Sequence, residues 1–196
     1  MSSLEWTAAA LGVMCVGLLV RRSLWNYPFA IASVVLLGWV FLQARLYSDA
    51  LLQCFFVAIN LYGWINWSRS RAGAGQVVVE RLGWPARLGW MIGGAAVAAG
   101  WGAAMHRFTD AAYPWWDGAV AIASVAGQLL LARRLVENWW VWIAVDCAAV
   151  PLYAAKGLWA AAGLYVIYLG LSVWGLVDWH RLARSRASKD GEPAAA

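Results

Sequence analysis

Charged side chains are scarce in this sequence of 196 residues. Asp, Glu, Lys and Arg make up only 13% of them, 63% are hydrophobic, and the mean hydropathy is +0.62. A soluble domain usually folds with roughly 45–50% apolar residues. The composition therefore excludes an ordinary soluble domain and indicates a membrane protein.

Residues that commonly bind metals or perform catalysis are also few. Cys15, Cys54 and Cys147 lie far apart within apolar segments, and the two histidines, His106 and His180, are expected near opposite membrane faces. The sequence has neither an HExxH motif nor paired intramembrane aspartates. It therefore implies no disulfide, metal site or cofactor. An intramembrane enzyme is disfavoured for the same reason.

Long charge-free segments predict membrane-spanning helices. Residues 23–44 alone can cross roughly 30 Å of hydrocarbon at about 1.5 Å per helical residue. The alternating pattern of a β-barrel is absent, so we expect an all-α membrane protein. Seven spans are predicted, at residues 6–20, 26–44, 50–67, 88–105, 117–132, 138–155 and 158–179.

The chain contains an internal duplication. Residues 5–67 align without a gap with residues 117–179 at a constant offset of 112, which places Arg22 on Arg134. Because one additional span separates the two copies, they must be parallel repeats in a 3+1+3 order. Parallel repeats are typical of small-solute transporters, with the site near the bilayer midplane at the interface between the halves.

This duplication divides the chain into five predicted segments. In order, they are the first three-helix repeat (1–68), a cytoplasmic connector (69–87), a linker helix (88–106), the second three-helix repeat (107–180) and a cytoplasmic tail (181–196). The tail is short and polar, so we expect it to be disordered. Val77–Val79 is expected to add a short extended piece to the connector.

Basic residues fall mostly on one predicted side of the membrane. Of the fifteen Lys and Arg residues, only Arg45, Arg107 and Lys156 lie on the other side. The positive-inside rule then places the N-terminus outside and the C-terminus in the cytoplasm of a multi-pass inner (plasma) membrane protein. A basic face beside anionic lipid explains the net charge of +5, and nucleic acid is not needed as a partner.

The predicted sixth helix carries the strongest indication of a ligand site. Trp139, Trp142, Asp146 and Tyr153 are three, four and seven residues apart, so they share one helix face. A carboxylate near the middle of a span costs about 3 kcal/mol to insert. Next to an indole it suits a flat cationic aromatic ligand. Two plainer interpretations stay open: Asp146 fastens two helices, and Trp142 is a packing residue.

Polar and aromatic side chains also follow one face of the third helix and of its counterpart in the second repeat. At this depth amides and hydroxyls orient a sugar or a carboxamide, although interhelical hydrogen bonds are an equally ordinary role for them. Asp146 aligns with Val34, so the charge is present in one half only. The further predicted substrate contacts are Asn60, Gln53, Trp64, Tyr165, Tyr168 and, more weakly, Gln128.

Several of these segments resemble the Pnu-type vitamin transporters. The most specific is the sixth-helix pattern of Trp139, Trp142 and Asp146, followed by the Tyr-Gly-Trp that ends at Trp64. The resemblance covers nearly the whole chain. It implies a seven-helix fold like that of the SWEET sugar transporters, a homotrimer, and facilitated diffusion with trapping by phosphorylation. The other matching segments are residues 26–29, 45–49, 60–67, 137–142, 152–153 and 156–157.

One departure from the family pattern bears on the substrate. Nicotinamide riboside carriers of this family often have Asn where this chain has Asp146. Both nicotinamide riboside and thiamine hold a cationic aromatic ring, so a carboxylate suits either. The resemblance implies that the substrate is nicotinamide riboside, taken up for NAD biosynthesis. Thiamine is the second candidate substrate, and riboflavin is a less favoured third. Coupling to an ion stays open, because Asp146 is able to carry a proton.

Overall fold

The computed structural model describes residues 3–43, 47–109 and 113–189, and it is helical throughout most of them. One isolated β-bridge, between Glu80 and Leu135, is the only extended pairing among these residues. The expected all-α fold is confirmed for this part of the chain. The helices are α1 (Ser3–Val20), α2 (Asn26–Gln43), α3 (Tyr47–Ala74), α4 (Trp84–Phe108), α5 (Pro114–Ala132), α6 (Glu137–Ala155) and α7 (Trp159–Lys189).

Helix length and composition identify three clear membrane-crossing candidates within the described ranges. They are Trp84–Phe108, Pro114–Ala132 and Trp159–Arg186. Ala9–Val20 and Asn26–Leu36 are apolar but shorter. That all seven helices cross the bilayer therefore stays a prediction.

Two helices extend furthest past the predicted ends of their spans. α3 continues to Ala74 and α7 to Lys189, beyond the predicted ends at residues 67 and 179. Hydropathy measures the apolar length of a segment, whereas Arg and Ala continue a helix into water without penalty. α7 thus includes the first part of the segment that we expected to be a disordered tail. Residues 190–196 lie outside the described residues.

In the structure the connector begins at Gly75, directly after the end of α3. Gly75 has a φ of +73°, a conformation that glycine adopts without a side-chain clash and that commonly ends a helix. The amide of Val78 then donates to the Ser70 hydroxyl at 2.9 Å. Val77–Val79, where we expected an extended piece, has no regular structure, and the β-bridge forms one residue later at Glu80.

The chain is divided into two compact units. The first contains residues 1–78 with residues 132–134, and the second contains residues 79–131 and 135–196. In the first unit α2 packs against α1 and α3, and in the second α6 packs against α7. α4 and α5 approach closely at two glycines, since a Cβ on Gly118 would lie 3.3 Å from the Gly102 Cα.

The same turn follows α1 and α5. Arg22 and Arg134 have φ values of +55° and +62°, which are unusual for residues other than glycine. In each turn the amide of the residue after the arginine, Ser23 or Leu135, donates to the carbonyl five residues before it, at 2.9 and 3.1 Å respectively. This bond is typical of a Schellman helix end. The side chains of Asn26 and Asn138 then donate to the carbonyl three residues before them, both at 2.6 Å. These positions correspond at the offset of 112.

Each unit also contains one aromatic pair, and the two pairs occupy corresponding positions in the two repeats. Tyr27 meets Trp67 edge to face at 5.4 Å and 89°, and Trp139 meets Trp179 at 5.5 Å and 89°. All four side chains are buried. Edge-to-face pairs of this kind stabilise helix packing beyond the area that they bury. The duplication seen in the sequence thus extends to matching local packing in the two units.

Candidate functional site

A buried carboxylate and a hydroxyl join α6 to α7 in the second unit. Asp146 is 2% exposed and Ser172 is 3% exposed. The Ser172 Oγ donates to the Asp146 Oδ2 at 2.9 Å. Such a donor matters, because a buried carboxylate without hydrogen bonds is strongly unfavourable. The hydroxyl therefore fixes the orientation of the carboxylate.

Three predicted tyrosines lie together beside this pair. The Tyr165 ring is 5.1 Å from that of Tyr153 on α6 and 5.6 Å from that of Tyr168 on α7. Tyr165 is also close enough to Asp146 for the two groups to interact electrostatically. We call these three residues the tyrosine cluster. Together with Asp146 they bring a negative charge, aromatic faces and hydroxyls into one region of the second unit.

Trp142 lies one turn before Asp146 on α6 and packs against α5. A Cβ added to Gly127 would lie 3.1 Å from Cε2 and 3.3 Å from Nε1 of this indole. The absence of a side chain at Gly127 therefore gives the indole its space. Trp142 is half-buried, so part of the residue stays accessible. Gln128, the residue after Gly127 on α5, is also half-buried.

Trp139 occupies a different environment from Trp142. Its ring is 1% exposed, against Trp179 and over Gly175. Its indole Nε1 has no hydrogen-bond partner among the described residues. So little exposed surface favours a packing role, and contact between Trp139 and a ligand stays a prediction.

The predicted contacts of the first unit lie on α3. Gln53 and Asn60 are buried, whereas Trp64 is exposed. The Asn60 Nδ2 donates to the Phe56 carbonyl of its own helix at 2.8 Å. Gln53 packs against α2, where a Cβ on Gly38 would lie 3.2 Å from the Gln53 Cβ. Their contact with a ligand stays a prediction.

Ser172 was predicted to lie on the polar face of the second repeat, but it was not among the predicted substrate contacts. It belongs to the polar face of α7, and its position corresponds to Asn60, a predicted contact, at the offset of 112. The repeat therefore contained the signal for it. Within the described ranges, no group of three or more His, Cys, Asp or Glu side chains is arranged to bind a metal ion.

Known proteins resemble this chain over nearly its full length. The nicotinamide riboside transporter PnuC of Escherichia coli (strain K12) is 29% identical over 214 residues, which cover 96% of this chain and 90% of that protein. The riboflavin/roseoflavin transporter RibM of Streptomyces davaonensis is 35% identical over 194 residues, covering 94% and 88% respectively.

A solved structure and a family profile agree with these similarities. The crystal structure of the vitamin B3 transporter PnuC matches with a TM-score of 0.72 at 25% identity, over 91% of this chain and 80% of that one. The sequence profile of the nicotinamide mononucleotide transporter family matches residues 2–181. The chain therefore belongs to the nicotinamide mononucleotide transporter family of multi-pass membrane proteins.

Proposed function

We propose that this protein carries a vitamin with a cationic aromatic ring across the inner membrane, and that its preferred substrate is nicotinamide riboside. The observation that carries the proposal is the buried Asp146 carboxylate oriented by Ser172. A carboxylate compensates a pyridinium charge, and aromatic faces attract the same ring. Asp146 would repel a phosphate, which favours a nucleoside over a nucleotide.

Further aromatic and amide groups would complete recognition. The half-buried Trp142 offers a face for stacking, and the tyrosine cluster offers rings and hydroxyls that suit a ribose. Trp139 would act mainly by positioning α6, given its burial against Trp179. The remaining proposed contacts are Gln53, Asn60, Trp64 and Gln128.

Thiamine is the second candidate substrate. It also contains a cationic aromatic ring, so Asp146 favours it by the same argument. Riboflavin has no such charge and gains nothing from this carboxylate. Because the chain is similar to a riboflavin/roseoflavin transporter, riboflavin should nonetheless be tested as a third ligand beside the other two.

We further propose the parallel 3+1+3 arrangement, with the N-terminus outside, the C-terminus in the cytoplasm and three copies in the assembly. The matching turns at Arg22 and Arg134 and the matching aromatic pairs support the duplication. The basic residues support the orientation. Facilitated diffusion, with trapping by phosphorylation, follows from the family resemblance.

Uptake into proteoliposomes tests this function. Purified protein should equilibrate radiolabelled nicotinamide riboside across the membrane faster than protein-free liposomes do. Removal of the proton and sodium gradients should leave that rate unchanged. Thiamine and riboflavin are measured in parallel. Uptake of riboflavin alone would contradict the role given to Asp146, and a rate that collapses without a gradient would contradict facilitated diffusion.

A further inference from the structure

A separate cavity of about 360 Å³ lies in the second unit, beside the start of α6. Arg81, Arg87, Glu137 and His180 supply its charged and polar lining. Glu137 begins α6, nine residues before Asp146, so this cavity is distinct from the carboxylate and the tyrosine cluster. The transport function proposed above assigns no role to it.

The charges in this cavity are only partly compensated. The Glu137 Oε1 accepts from Nε and Nη2 of Arg87, at 3.1 and 2.8 Å, and from the Leu82 amide at 3.1 Å. The Glu137 Oε2 and the Arg81 Nε are also buried, and neither has a hydrogen-bond partner among the described residues. Two arginines against one carboxylate leave one formal positive charge. The cavity thus offers an unused donor on a cation and an unused acceptor.

The rest of the cavity lining is apolar and partly exposed to the surroundings. Trp90, Met91 and Trp140 line the cavity, and Met91 and Trp140 are 68% and 58% exposed. Surfaces of this kind suit contact with an acyl chain. At the start of α4, the Arg87 guanidinium lies 5.4 Å from the centre of the exposed Trp84 ring. Trp and Arg at a helix end are typical of headgroup depth.

We propose that this cavity binds the headgroup of an anionic glycerophospholipid with free hydroxyls, such as phosphatidylglycerol. The phosphodiester accepts from Arg81, and a headgroup hydroxyl donates to the Glu137 Oε2. One acyl chain lies along Trp90, Met91 and Trp140. The single negative charge of this lipid matches the formal charge of the cavity, whereas zwitterionic phosphatidylethanolamine leaves that charge uncompensated. With the orientation proposed above, the cavity lies in the cytoplasmic leaflet. The proposed lipid binding does not depend on the vitamin.

Lipid retention by the full chain tests the proposal. The wild-type protein, purified in detergent with equal amounts of phosphatidylglycerol and phosphatidylethanolamine, should retain phosphatidylglycerol preferentially in native mass spectrometry. Arg81→Gln should reduce that retention about tenfold, the effect of losing one charge-assisted hydrogen bond. Arg181→Gln is the matched control, because Arg181 is exposed and does not line the cavity. Equal losses in both variants, or none in Arg81→Gln, would overturn the site.

Thermal unfolding of the wild-type protein provides a measurement that needs no variant. Phosphatidylglycerol should raise the unfolding midpoint at concentrations where phosphatidylethanolamine does not. Inorganic phosphate and glycerol 3-phosphate distinguish a lipid from a soluble phosphate, and neither should raise the midpoint without the acyl chains. A shift of the same size with either soluble ligand, or no shift with phosphatidylglycerol, would reject the lipid. Because no vitamin is present, a failed lipid test leaves the transport proposal untouched.

Discussion

At the scale of single residues, one hydrogen bond both joins α6 to α7 and orients the Asp146 carboxylate that we propose for substrate recognition. The Ser172 hydroxyl donates to Asp146 at 2.9 Å, and both side chains are buried. Hydrogen bonds to charged groups are worth about 1.5–3 kcal/mol, more than bonds between neutral groups. A change at Ser172 should therefore affect the carboxylate without removing its charge.

Ser172→Ala should weaken the binding of nicotinamide riboside by about tenfold, because the Asp146 carboxylate loses the donor that orients it. Binding is measured by calorimetry on the purified protein. Ser124→Ala is the control, since the Ser124 hydroxyl donates to the Val120 carbonyl of its own helix at 2.8 Å. Unchanged affinity in Ser172→Ala would mean that this hydroxyl does not position the carboxylate.

Two glycines test whether the duplicated packing matters for stability. A Cβ on Gly63 would lie 2.7 Å from the Tyr27 Oη, and a Cβ on Gly175 would lie 2.5 Å from the Trp139 ring. Gly63→Ala and Gly175→Ala should each lower the unfolding midpoint, because forcing such contacts apart costs about 1–3 kcal/mol. Gly170→Ala is the control, because that position has open space. A midpoint in either variant at or above that of Gly170→Ala would refute the close packing.

At the scale of whole elements, the helices were more predictable than the turns between them. Apolar length located every helix, but it could not show that α3 and α7 continue past their apolar parts, because Arg and Ala are good helix formers in water as well. The left-handed Arg22 and Arg134 were unpredictable for another reason. Propensity assigns positive φ to glycine, and only the duplication linked the two positions.

The candidate site was predictable in part. Spacing on α6 placed Trp139, Trp142 and Asp146 on one face, but the face of a helix does not reveal which side chain a neighbouring helix covers. Trp139 proved fully buried against α7, while Trp142 stays half-buried against α5. Likewise, the partner of Asp146 on α7, Ser172, required the packing of two helices to be known.

Arg134 shows how a turn residue links its turn to α3 and to the connector. Its Nε donates to the Val78 carbonyl and its Nη1 to the Asn66 carbonyl, both at 3.0 Å. Lysine cannot make this forked pair of bonds. Arg134→Lys should therefore lower the unfolding midpoint by about 5 °C. The adjacent Arg133 is exposed, and Arg133→Lys should leave the midpoint unchanged. Equal midpoints for the two variants would contradict this role.

At the scale of the whole molecule, the distribution of basic residues predicts the orientation in the membrane. A reporter that is active only in the cytoplasm should be active when fused after Ala196 and inactive when fused before Trp6, because the basic loops stay on the cytoplasmic side. Protease accessibility in spheroplasts provides an independent check. The opposite activity pattern would invert the topology and would place the proposed lipid cavity in the outer leaflet.

The most direct test of recognition by a carboxylate compares two ligands that differ in charge. Asp146→Asn preserves shape and hydrogen bonding but removes the charge. Calorimetry would measure the affinities of cationic nicotinamide riboside and of its uncharged dihydro form, for the wild-type and Asp146→Asn proteins in proteoliposomes. The affinity for the cation should fall at least about tenfold in Asp146→Asn, while that for the uncharged form should stay the same. Equal affinities of the two proteins for the cation would remove the carboxylate from the site.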